Sequence, residues 1–99
     1  PDNGRFFENI VFNELYNKGY ENISFDNSKG ECDFLAWKNG ELYAFQVCYE
    51  LTDYNRTREY NGFSTVQATI KRKTIITYNQ KEQKDDIYII PLWEWALSD

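Results

Sequence analysis

An asparagine followed by a glycine, Asn39-Gly40, set between two strand-like runs, constrains this chain more than any other feature. The pair suits the two positive φ angles of a type I′ turn, so "CDFLAWK" and "ELYAFQVCY" are predicted to form an antiparallel hairpin. A two-residue turn also fixes the register. Lys38 faces Glu41, Trp37 faces Leu42 and, stepping outward, Asp33 faces Gln46. Alternation then gathers Glu31, Asp33, Gln46 and Cys48 on one sheet face at the open end of the hairpin, while Phe34, Phe45 and Val47 point to the other as core. It also puts Cys32 and Cys48 on opposite faces, which predicts two free thiols, as in a reducing cytoplasm.

Around the hairpin the pattern is helical, then extended, then helical again. Phe7, Ile10, Val11, Phe12 and Leu15 fall on one broad arc, and Gly19 supplies a C-terminal stop. "YENISF" reads as a first strand. After Tyr49 the spacing of Tyr60, Phe63, Val66, Gln67 and Ile70 predicts a second helix capped by Asp53 and weakened by Gly62 and several β-branched residues. "KTIITY" and "DIYII" read as strands joined by the loop "NQKEQKD". Pro91 opens a short terminal helix, "PLWEWALSD", whose Trp93 and Trp95 are expected in the core. The order α-β-β-β-α-β, with an extra strand and a short C-terminal helix, predicts an α/β fold with a mixed sheet flanked by helices.

A chain of 99 residues, 41% hydrophobic, can bury one modest core, so residues 1–99 are expected to form a single domain. It begins at Pro1 and runs straight into a helical pattern, which reads as a segment of a longer polypeptide. No apolar run is long enough for a membrane span and no signal peptide is visible, so a cytoplasmic protein with no membrane partner is expected. Histidine is absent, which removes a histidine-dependent triad and leaves too few soft ligands for zinc. Any metal would be held by oxygen, favouring magnesium, manganese or calcium.

Asp33 is the residue that demands an explanation. A carboxylate on a covered sheet must be hydrogen-bonded, paired or bound to a cation, because desolvating it alone costs several kcal/mol, roughly. One reading has Asp33 bonded to Gln46 and a backbone amide. The other joins Asp33 and Gln46 to an acid on the first helix as oxygen ligands for a divalent cation. Glu8 and Glu14 both fall inside the apolar arc, and the wheel does not choose between them. The net charge of −5 argues against binding nucleic acid by whole-surface electrostatics. Basic residues nonetheless cluster at Arg56 and Arg58 and at Lys71, Arg72 and Lys73, and are candidates for a local backbone-contacting strip.

"GRFFENIVFNELYNKG", "GECDF", "AFQVCYELTD", "TIITYNQ" and "IYIIPLWEWAL", taken in order, resemble the C-terminal DUF4143-type domain found behind the AAA+ module of many prokaryotic ATPases. That domain is similar in fold to the PD-(D/E)xK, restriction endonuclease-like superfamily. The resemblance implies that Glu8 matches the acid of the first helix, Asp33 the acid of the second core strand and Gln46 the (D/E) position. Cys48 stands where the lysine belongs. A neutral thiol cannot stabilise charge developing on a phosphate, so the implied site is a degenerate one, with weak magnesium or manganese binding through Glu8, Asp33 and Gln46. No phosphate-loop motif occurs, so ATP would bind only in an upstream ATPase module, the expected partner. The expected function is an accessory domain of an AAA+ ATPase, regulatory or nucleic-acid-interacting, without cleavage activity. The alternatives are a metal-dependent DNA endonuclease and a protein-interaction module.

Overall fold

The computed structural model describes residues 3–28 and 30–98. Helix α1 (Asn3–Asn17) buries Phe7, Val11 and Leu15, one per turn, along a single stripe. It ends as its sequence requires: Gly19 takes φ +88°, and the amides of Gly19 and Tyr20 return to the carbonyls of Tyr16 and Leu15. This is the paired closure that a left-handed residue after a helix permits.

Strand β1 (Glu21–Phe25) pairs antiparallel with β2 (Phe34–Lys38), which pairs antiparallel with β3 (Glu41–Val47). Asn39 and Gly40 adopt φ +53° and +77°, and the register runs from Lys38↔Glu41 to Phe34↔Phe45, as the turn predicts. The chain then crosses through α2 (Arg56–Gly62) and a 3-10 turn (Phe63–Thr65) to β4 (Arg72–Thr77), parallel to β3. β5 (Glu82–Lys84) forms the far edge, and β6 (Ile87–Pro91) returns between it and β4 before α3 (Leu92–Leu97). The result is a mixed α/β domain with a six-stranded sheet ordered β1-β2-β3-β4-β6-β5.

Each face of the sheet carries its own core. Phe34, Ala36, Phe45 and Ile76 meet the α1 stripe and Trp95 of α3 on one face. Ala44, Ile75 and Ile89 meet Leu51, Phe63 and both cysteines on the other.

Several sequence expectations are corrected here. The second helix stops at Gly62 and the short 3-10 turn after it. Beyond Thr65 the chain extends, because the β-branched residues from Thr65 to Ile70 favour that state, and Asn55 rather than Asp53 precedes the helix. The supposed loop "NQKEQKD" contains β5, whose three residues are all polar and exposed, so no apolar alternation announces it. Cys32 and Cys48 lie on the same face. Residues 31–33 bend ahead of β2, so strand alternation does not reach back to Cys32. Both thiols are free. Trp95 is buried as expected, whereas Trp93 is 59% exposed.

Candidate functional site

The start of β2, the end of β3 and helix α2 converge on Gln46. Its side chain is only 3% exposed, and both ends of its amide are engaged. Oε1 accepts a hydrogen bond from the Asp33 amide at 2.8 Å, and Nε2 donates to the Glu59 carbonyl at 2.8 Å. Asp33 returns the contact, its Oδ2 accepting from the Val47 amide at 2.8 Å. Gly62 of α2 lies so close that an added Cβ would stand 1.9 Å from Gln46 Nε2. The side chains of Asp33 and Gln46 thus tie two strands and a helix together.

Arg58 and Glu59 bring further charge to the same place, a cavity of about 150 Å³ that Asp33, Gln46 and Glu31 also line. Burial pushes the Asp33 carboxyl up to about 7. The Val47 amide opposes that rise, Glu59 and Glu8 add to it, and Arg58 works against it. Glu59 is likewise raised by burial against the pull of Arg58, with which it pairs at 3.4 Å. Sequence reasoning missed Glu59. The signal was partial: Glu59 stands three and four residues before the buried Gly62 and Phe63, on the inward side of α2, once the end of that helix is known.

Of the two acids on α1, Glu8 is the one whose charge reaches Asp33. It lines an adjoining cavity with Phe12 and Phe34, and Asn27 borders both cavities. Cys48 is buried, donating from Sγ to the Glu50 carbonyl at 3.2 Å. Burial, followed by the charge of Glu59, pushes its thiol up to about 11, so it is protonated and neutral at ordinary pH. Cys32 is driven up to about 12, first by burial and then by Asp33.

As a cation site this arrangement fits poorly. Gln46 has turned its oxygen to an amide, one Asp33 oxygen is held by Val47, and among the described residues no group of three or more Asp, Glu or Cys side chains is disposed to hold a metal.

The basic residues do not form one strip. Arg56 pairs with Glu82 of β5 through two parallel hydrogen bonds of 3.1 Å. Lys71 pairs with Glu41 at 3.6 Å and Lys73 with Asp86 at 3.0 Å. Arg72 lies over the Tyr88 ring, 5.0 Å from its centroid, and Arg58 alone borders the Asp33 cavity.

A mixed six-stranded sheet with a crossover helix bolted to the end of its central hairpin defines an α/β domain class. A family model described as a domain of unknown function, DUF4143, matches residues 3–95, and the chain belongs to that family. It is similar to an uncharacterized protein of Methanocaldococcus jannaschii, 38% identical over 112 residues that cover 96% of this chain and 25% of that protein. It is also similar to an uncharacterized protein of Haemophilus influenzae, 34% identical over 93 residues covering 91% of this chain and 22% of the other. The chain therefore spans about a quarter of the length of these curated relatives. No solved structure matches it. Among the described residues no helix is long and apolar enough to cross a membrane.

Proposed function

We propose that this is a non-cleaving accessory domain of a larger AAA+ ATPase, nuclease-like in fold, in which the positions of a former metal site now hold the fold together. The observation that carries the reading is the closed hydrogen-bond set of Asp33, Gln46, Val47 and Glu59. Groups committed in this way are poor partners for a cation. The thiol of Cys48, protonated and buried, stands where the resemblance expects a lysine and supplies no charge for a phosphate in transition. Membership of the DUF4143 family, together with curated relatives about four times as long, supports a role within a larger chain, where ATP would be bound. DNA contact through Arg56, Arg58, Lys71, Arg72 and Lys73 has less support, since all but Arg72 are paired with carboxylates.

One observation favours the endonuclease instead. Arg58 brings a cation to the cavity that holds Asp33 and Glu59, where a relocated basic group would have to stand. Plasmid nicking in manganese separates the two. The unmodified domain is expected to leave supercoiled DNA intact, and Cys48→Lys with Gln46→Glu to introduce nicking, with circular dichroism confirming the fold. Nicking by the unmodified domain that disappears in Asp33→Ala would overturn the proposal.

A further inference from the structure

The sheet face opposite Gln46 holds a cavity of about 580 Å³, within the range of small-molecule sites. Its floor follows from the strand registers: Thr74 sits at the centre, with Phe45 beside it on β3 and Tyr88 on β6, while Arg72, two residues earlier on the same face, pairs with Tyr43. A small residue between two rings leaves a hollow. Tyr20 meets Tyr43 and Phe45 edge-on at 5.5 and 5.6 Å, and Trp95 meets Phe45 at 5.8 Å, so the wall is aromatic and fixed.

The polar groups of this hollow are the ones left over. Buried polar residues are normally satisfied. Of the three buried polar residues among those described, Gln46 is saturated and Thr77 exchanges hydrogen bonds with Gln80 at 2.9 Å. Thr74, 4% exposed, makes no side-chain hydrogen bond among the described residues. Since no fully enclosed polar side-chain atom there lacks a partner, its hydroxyl must open into the cavity. Charge is left over in the same way. Lys81 and Glu82 at the rim are neutralised by Glu94 and Arg56, whereas Arg72 rests on Tyr88 with no carboxylate partner among the described residues. Lys38, 5.0 Å from the Tyr20 ring centroid, adds to the positive field.

We propose that this hollow is a binding site for a planar aromatic ring bearing a carboxylate: the ring enters between Phe45 and Tyr88, Thr74 hydrogen-bonds it at the floor, and Arg72 takes the carboxylate at the mouth. An arginine fork matches a carboxylate bidentately, and aromatic edges favour a ring over an aliphatic chain. The site is independent of the Asp33 region and of the function proposed for it. The same chemistry is offered by a free aromatic acid and by an aromatic residue at a peptide C-terminus.

The test titrates the protein with indole-3-acetate and with its uncharged amide, following the backbone amide resonances of Thr74 and Tyr88. The acid is expected to bind about tenfold tighter than the amide. Arg72→Gln, at an exposed position that leaves the fold intact, should erase that preference, and Thr74→Leu should fill the hollow and abolish binding of both probes. Glycyl-tryptophan binding more tightly than indole-3-acetate would assign the site to a peptide terminus, and weaker binding would assign it to a free acid. Probes that leave these resonances unmoved, or an acid and amide that bind equally, would overturn the proposal.

Discussion

Gln46 and Thr74 are buried polar residues on adjacent strands and opposite faces of the sheet, and they have contrary surroundings. Around Gln46 each end of the amide is matched and a helix backbone closes over it. Around Thr74 the rings stand back and leave the hydroxyl facing open space. The difference teaches what a buried polar side chain signifies: saturated, it fastens elements together; unsaturated at the floor of a hollow, it marks room for something else.

Gly62→Ala should break the saturated side most severely. The new Cβ displaces an amide that cannot move without losing two hydrogen bonds, so the expected cost is about 2–3 kcal/mol in urea denaturation. Combining it with Gln46→Ala removes the obstacle, and the double variant should be more stable than the sum of the two single losses predicts.

Asp33→Asn sharpens the comparison through pH. The folded carboxyl is raised from the ordinary 3.8 to about 7, so its stabilisation is complete below the ordinary value and is lost as pH rises through about 7. Asparagine keeps an acceptor for the Val47 amide without the ionisation. Its stability relative to the unmodified chain should therefore improve by on the order of 1–2 kcal/mol between about pH 4 and about pH 8, after allowing for partial exposure. In Asp33→Asn itself a smaller fall of stability with rising pH should persist from Glu59, also raised by burial.

The threonines give the finest contrast. Thr77→Val strands the Gln80 amide and should cost about 1–2 kcal/mol, whereas Thr74→Val loses no hydrogen bond and should stay within about 0.5 kcal/mol. Equal losses at the two positions would erase the distinction.

How much of this the sequence carried depends on how local each cause is. The β2–β3 register followed from Asn39-Gly40, because a two-residue turn leaves no freedom in pairing, and with it came the meeting of Asp33 and Gln46. The Gly19 stop and the α1 stripe were equally local. Glu59 escaped because its inward position depends on where α2 ends, which the mixed propensities of residues 62–70 left ambiguous. Cys32 was placed on the wrong face because alternation was extended beyond the strand that enforces it. β5 was invisible, since an edge strand of "EQK" is specified by its neighbour and not by its own composition. The Thr74 hollow needs β3, β4, β5, β6 and α3 in place before it exists, and no window of sequence contains it.

Asp33 and Gln46 fasten β2, β3 and α2 together through hydrogen bonds that leave neither side chain free to hold a cation. Thermal unfolding with and without manganese tests it most directly, because a ligand that binds the folded chain must raise the midpoint. The midpoint is expected to stay unchanged in manganese and to fall for Asp33→Ala in either condition. A manganese-dependent rise that vanishes in Asp33→Asn would contradict it.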